Sequence, residues 1–227
     1  TKANTMNPSN PDLPISSSPN SAYRFSTNQT VSIIGAGVMG RGIAAAAVRA
    51  GMFVRISDSD FMAASDAVKE ILKSHESRTE LRPRLVDPTA SPLISVATDD
   101  AQIANADLII ETVTENIAVK SAILSRIEPH LNARSIIASN SSSLSMTQLS
   151  EALRNPGRFC GFHFCHPVSG RPLVEIVHTE ATTSDTLRRA KAFAASLRTV
   201  PIVIRDSPGF LLNRLLVPYL NETLELL

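Results

Sequence analysis

His163, Glu175 and Asn213 are the side chains in the second half of the sequence whose types suit proton-transfer chemistry. A histidine beside a carboxylate makes a general base near neutral pH, because the carboxylate fixes the imidazole tautomer and stabilises the imidazolium formed on taking a proton. His163 lies near the end of the apolar run RFCGFHF, Glu175 within LVEIV, and Asn213 near the start of the last helical segment. Two strands must therefore bring base and carboxylate together, and spacing alone leaves open whether they touch. Cys160, His163, Cys165 and His166 are all metal-ligand types. Strand alternation puts His163 and Cys165 on one face and Cys160 and His166 on the other, and the spacing matches no usual zinc pattern, so no metal is expected.

The element that would carry a reaction partner for such a base is VSIIGAGVMGRGIA, residues 31–44. A short strand runs into Gly35, Gly37 and Gly40 at GxGxxG spacing, and an alanine-rich helix comes next. Gly35 permits the tight turn, Gly37 lets backbone approach a pyrophosphate, and Gly40 lets the helix sit close to the strand, with helix N–H groups aimed at the phosphates. A second apolar run, 53–56, ends at Asp58, 23 positions after Gly35, near the offset of a carboxylate that accepts from the adenine ribose hydroxyls. Asp58 repels a 2′-phosphate, and Ser59, Asp60 and Phe61 offer no cation, so NAD is expected over NADP.

The remaining elements are read from pattern. Helical periodicity covers 60–75, with Ala63, Ala67, Ile71 and Leu72 as its inner face. Residues 77–92 carry three prolines and read as a loop or short helical excursion. Lys69, Lys73, Arg78, Arg82 and Arg84 cluster there, either as a solvated face or as a contact for an anionic substrate handle. Strands are read at 93–96, 106–110, 135–139, 158–164, 173–177 and 200–204, and helices at 99–105, 116–131, 146–153 and 183–197. Glu111 and Glu115 come after a buried strand and are ligand candidates by position, Lys120 can point back toward a cofactor, and the polar cluster Asn140, Ser141, Ser142 and Ser143, with Leu144 after it, is a helix cap, a substrate clamp or both. The fold class is α/β, a Rossmann-type doubly wound, mainly parallel sheet.

Composition sets bounds. In 227 residues, 43% are apolar, enough for a sizeable core, and 22 basic against 21 acidic residues exclude the electrostatic footprint of a general nucleic-acid binder. Two cysteines are too few for a disulfide framework and point to a reducing, cytoplasmic setting. The apolar stretch 43–48 is far short of the roughly 20 residues that span a bilayer, so no membrane partner is expected. Residues 1–28 read as a disordered lead, 29–206 as the dinucleotide-binding domain, and 207–227 as a linker and apolar helix where a second domain should start. The tail from 210 onward is too apolar to face solvent alone.

The joint order of GAGVMGRGIA, ETVTEN with Lys120, SNSSSL, GFHFCHP, LVEIV and DSPGFLLNRLLVPYLNE resembles the short-chain L-3-hydroxyacyl-CoA dehydrogenase family over residues 31–227. The resemblance implies NAD-dependent oxidation of a 3-hydroxyacyl thioester. His163 would be the base, Glu175 its orienting partner, and Ser142 and Asn213 the hydrogen-bonding groups at the reacting oxygen and thioester end. Gly35, Ala36, Gly37, Val38, Met39, Gly40 and Asp58 would hold the adenosine diphosphate half of NAD, and Glu115, Lys120 and Ser142 the nicotinamide half. His166 stands close to the nicotinamide where the family commonly has asparagine, so hydrogen bonding there is altered. The segment between Asp58 and Asp107, which in the family includes the helical arm that touches coenzyme A, is shorter than in the fatty-acid enzymes, so a carrier-protein-bound acyl group or another 3-hydroxy acid is the alternative to acyl-CoA, and a non-catalytic NAD-binding protein the alternative to an enzyme. An all-α C-terminal domain, with 207–227 as its linker and first helix, and a homodimer formed through it are implied as well.

Overall fold

The computed structural model describes residues 29–75, 93–170 and 173–226. The expectations for residues 1–28 and 77–92, with Arg78, Arg82 and Arg84, lie outside the described residues. Short apolar runs form the strands β1 (Thr30–Ile34), β2 (Phe53–Ser57), β3 (Ile94–Val96), β4 (Leu108–Glu111), β5 (Ile136–Ser139), β6 (Phe159–Phe164), β7 (Leu173–His178) and β8 (Val200–Arg205). The helically periodic stretches form α1 (Val38–Arg49), α2 (Phe61–His75), α3 (Asp100–Ala104), α4 (Ile117–Ile127), α5 (Met146–Ser150), α6 (Ser184–Ser196) and α7 (Leu212–Glu225). The strands make one sheet in the order β3-β2-β1-β4-β5-β6-β7-β8. The first six are parallel; β7 runs antiparallel to β6, and β8 parallel to β7. Strand order reverses between β1 and β4, and a doubly wound sheet opens its ligand crevice beyond the carboxyl ends of strands at such a switch point.

Alternation along each strand splits the core into two layers. Val31, Ile33, Leu108, Ile110, Phe162 and Phe164 face α1, α2 and α6, whereas Ile109, Ile137 and Phe159 face α4 and α5. His163 and Glu175 take the alternate positions on β6 and β7 and so face the second layer. Asp99, Asn116, Ser145 and Thr183 cap α3, α4, α5 and α6 with side-chain oxygens. Helix α1 differs: its N-cap is Gly37, without a side-chain cap, so the first turn of N–H groups stays available to a ligand.

Several boundaries depart from the sequence pattern. The buried stripe of α2 is Ala64, Ala67, Ile71 and His75, with Ala63 and Leu72 on its flanks. His75 is tolerated inside because Nδ1 bonds the Ile71 carbonyl at 2.7 Å. Helix α4 stops at Ile127, where Glu128–His130, with Pro129 near its start, tightens into a 3₁₀ turn. After α5 the chain closes with Ala152 and Leu153 donating to carbonyls only three residues back, so the regular helix ends at Ser150. In α7 no residue is buried, and Leu215, Tyr219 and Leu224 are about two-thirds exposed or more (66%, 70% and 69%). Among the described residues no helix is long and apolar enough to cross a membrane.

Candidate active site

The glycine turn is built by contact. Gly35 has φ 107°, open to glycine at little cost, and its N–H donates to the Ser57 carbonyl at 2.7 Å. Gly40 sits so close to β1 that a Cβ there would lie 1.9 Å from the Gly35 carbonyl oxygen. A Cβ on Gly37, in contrast, would meet nothing within 4 Å. The first and third glycines are thus required by packing, while the second leaves room where a pyrophosphate would lie, beside the uncapped N-terminus of α1. Thr112, next after β4, wedges the turn, its hydroxyl 3.0 Å from both the Ile34 and Gly35 carbonyl oxygens. Ala36 is buried, and its N–H donates to Asp58 Oδ2 at 2.7 Å; the Val38 side chain points to solvent, leaving its backbone to serve the turn. Burial raises the Asp58 pKa, but the Ala36 and Asp60 amides and the Ser59 hydroxyl outweigh it and hold the carboxyl below its ordinary value. A cavity of about 780 Å³ extends from Gly35, Gly37, Asp58 and Thr112 to Val119 and Arg126. Its carboxylate, open glycine and free helix terminus fit a dinucleotide.

At the carboxyl ends of β4 and β5 the structure shows a buried ion-pair network. Lys120 is 1% exposed, and its Nζ lies 2.7 Å from Glu111 Oε1, 3.2 Å from the Val113 carbonyl and 3.4 Å from Glu115 Oε2. Two carboxylates hold Lys120 at the carboxyl end of β4. Glu111 is fully buried and lines neither the 780 Å³ cavity nor the one that holds His163, so its contacts here are internal. Glu115 Oε1 accepts from Ser141 Oγ (2.6 Å), Ser142 N (2.9 Å), Ser143 N (3.1 Å) and Ser143 Oγ (3.0 Å). Burial acts to raise the Glu115 pKa, but these donors and Lys120 bring it down to about 2. The serine cluster is therefore a carboxylate-bound loop, and the cap of α5 falls to Ser145.

His163 and Glu175 stand directly opposite each other in the β6–β7 pair, with Nδ1 2.6 Å from Glu175 Oε2. Glu175 Oε1 accepts from the Leu211 and Leu212 amides at 2.9 and 2.8 Å, so one carboxylate orients the imidazole and anchors the start of α7. Burial works against its ionisation, yet the His163 hydrogen bond and the two amides hold the Glu175 carboxyl below its ordinary pKa. With an ionised acceptor on Nδ1, the neutral ring carries its proton there and Nε2 is the basic nitrogen. Phe210, buried at a φ of 54°, lays its ring 5.6 Å from the imidazole. That anchoring brings Asn213 over the serine loop, where its Nδ2 donates to the Ser142 carbonyl at 2.9 Å.

A second cavity, of about 440 Å³, is lined by Met39, Glu115, Lys120, Ser142, His163 and Asn213, among others. Thr112 and Val113 line both cavities, so the dinucleotide crevice opens onto the base. Cys165 and His166 also line the second one, which corrects the alternation argument for His166: β6 ends at Phe164, so strand alternation no longer governs these two residues. Cys160 faces the opposite core layer, and burial pushes its thiol up to about 12. Asn140, the first residue of the polar cluster, accepts from the Phe164 amide through Oδ1 at 3.0 Å, whereas sequence reasoning missed Thr112 and Phe210. Their only signal is position immediately beyond a strand end or glycine.

Residues 30–207 match the family model of the 3-hydroxyacyl-CoA dehydrogenase NAD binding domain. The fatty acid oxidation complex subunit alpha of Idiomarina loihiensis is 37% identical over 195 residues, 85% of this chain but 27% of that relative, so this chain spans about a quarter of its length. The crystal structure of (S)-3-hydroxybutyryl-CoA dehydrogenase from Ralstonia eutropha superposes with a TM-score of 0.75 at 33% identity, covering 86% of this chain and 70% of that one. For 3-hydroxybutyryl-CoA dehydrogenase from Escherichia coli K12 the TM-score is 0.77 at 32% identity, with 86% and 42% covered. Together with a glycine turn shaped for a dinucleotide, these matches establish that the chain belongs to the 3-hydroxyacyl-CoA dehydrogenase family through its NAD-binding domain.

Proposed function

We propose that this protein interconverts a 3-hydroxyacyl and a 3-ketoacyl thioester, with His163 as the general base. The observation that carries the reading is the His163–Glu175 pair at 2.6 Å in a cavity that adjoins the dinucleotide crevice. In the oxidation direction His163 Nε2 takes the substrate hydroxyl proton, and Glu175 stabilises the imidazolium through Nδ1. Ser142 and Asn213 hydrogen-bond the reacting oxygen and the thioester end. Gly35, Ala36, Gly37, Val38, Met39, Gly40 and Asp58 hold the adenosine diphosphate half of the cofactor, and Glu115, Lys120, Ser142 and His166 border the nicotinamide. When bound, NAD supplies the hydride acceptor. A positioned base contributes roughly 10²–10⁴ in rate.

NADH oxidation by the full-length protein tests this reading, with acetoacetyl-CoA, the same acyl group on a carrier protein and free acetoacetate as separate substrates. Turnover with the CoA thioester supports it. Turnover with the carrier alone selects the carrier-bound substrate, which His166 at the cavity wall favours. NADH binding without any turnover would make this a non-catalytic NAD-binding protein.

The exposed apolar face of α7 supports pairing with a second copy, with light scattering as the test and a concentration-independent monomer as the contrary result. Two free cysteines, Cys160 and Cys165, fit a cytoplasmic setting.

A further inference from the structure

We infer that Glu111 is a positioning residue of this site, a buried carboxylate that sets the geometry of the serine loop without touching substrate or cofactor. The inference rests on the reading of the His163 cavity as the place of reaction. Glu111 ends β4, directly opposite Ser139 in the β4–β5 pair. It gathers three donors: Lys120 Nζ at 2.7 Å and the Val113 amide at 2.6 Å on Oε1, and Ser139 Oγ at 2.6 Å on Oε2.

A buried ionised carboxylate needs such partners to exist at all, so the contacts alone fit a purely structural role. What distinguishes Glu111 is where they lead. Through Oε1 it holds the Lys120 ammonium, whose other carboxylate contact is Glu115 Oε2 at 3.4 Å. Through Oε2 it holds Ser139 Oγ, which accepts from the Ser141 amide at 3.3 Å. Both branches arrive at the same loop, because Glu115 Oε1 binds Ser141, Ser142 and Ser143. From there Ser142 passes the constraint to Asn213 through its carbonyl. One carboxylate thus reaches the loop by two routes, and Lys120, Glu115, Ser142 and Asn213, to which they lead, line the His163 cavity.

The test is Glu111→Gln in the full-length protein, which keeps size and acceptor while removing the charge. The expected result is a folded protein whose kcat for acetoacetyl-CoA reduction falls roughly 10- to 100-fold, the scale of a small misplacement of reacting groups. NADH affinity should fall by a smaller factor than kcat, because Lys120 and the serine loop border only the nicotinamide end of the cofactor, while Asp58 and the glycine turn hold its other half. The backbone amide signals of 141–143 should shift, whereas Lys69→Gln on the surface of α2 leaves them in place. Ser139→Ala cuts only one branch and is expected to give a smaller kcat loss with the same loop signature; it also decides the matter if Glu111→Gln does not fold. A stable Glu111→Gln protein with wild-type kcat and unshifted loop amides overturns the inference. If the wild-type protein itself fails to reduce acetoacetyl-CoA, the functional reading falls, and the amide shifts still decide whether Glu111 sets the loop.

Discussion

Replacing Glu115 with glutamine removes the charge that gathers the serine loop, and the cost to stability can be derived from its surroundings. The carboxyl sits at about 2 against an ordinary 4.5, because donors from Ser141, Ser142 and Ser143 and the Lys120 ammonium overcome the penalty of burial. A group depressed this way stabilises the fold above its unfolded value, and that stability is lost as pH falls through the folded value. The full difference corresponds to about 3 kcal/mol at 1.36 kcal/mol per pH unit, but the side chain is 37% exposed, and solvent screening reduces this to about 1–2 kcal/mol. Urea unfolding of wild type and Glu115→Gln at pH 7, 5 and 3 measures it, and the difference between the two proteins cancels the titration of other carboxylates. The variant should be less stable by about 1–2 kcal/mol at pH 7 and nearly as much at pH 5, with roughly two-fifths of the gap left at pH 3. A gap that stays constant from pH 7 to pH 3, or no gap at pH 7, would mean that the Glu115 charge does not hold the loop.

Other substitutions separate packing from binding and chemistry. Gly40→Ala must push its Cβ off a carbonyl oxygen 1.9 Å away and should destabilise the fold by about 3 kcal/mol, read from the urea midpoint. Gly37→Ala has open space and should leave stability within about 0.5 kcal/mol, typical of such surface changes, while NADH affinity by fluorescence titration falls at least tenfold. Asp58→Ala should narrow the preference for NADH over NADPH by about tenfold or more, since the repelling carboxylate is gone. Glu175→Gln should lower kcat by roughly 10²-fold or more with NADH affinity retained, because imidazolium is no longer stabilised; kcat unchanged in that variant would remove Glu175 from the mechanism.

The sheet was legible because each buried strand is a short apolar run ended by a polar or glycine residue, as 31–34 runs into Gly35 and 136–139 into Asn140. The glycine turn was legible for a related reason: its three glycines and Asp58 answer local steric and electrostatic needs. Contacts between distant elements were not legible. That β7 runs back along β6, placing Glu175 opposite His163, depends on tertiary pairing across a connection whose direction spacing does not encode. Lys120 and Glu111 show the same limit from the charge side. Position suggested a ligand contact for Glu111 and a cofactor-facing side chain for Lys120, but not that the two lie buried as each other's partner. For His166, alternation was applied past the point where the strand stops. Phe210 adopts a left-handed backbone that Ser207, Pro208 and Gly209 foreshadow only as a turn.

His163, oriented by Glu175, is proposed to move the proton that accompanies hydride transfer, and single-turnover stopped-flow decides whether it does. The preformed NADH complex is mixed with acetoacetyl-CoA and NADH absorbance is followed in wild type and in His163→Ala. Wild type should lose NADH absorbance rapidly and the variant more slowly by roughly 10²–10⁴, with equal NADH affinity in both. Equal rates of NADH consumption in the two proteins would contradict a proton transfer through His163.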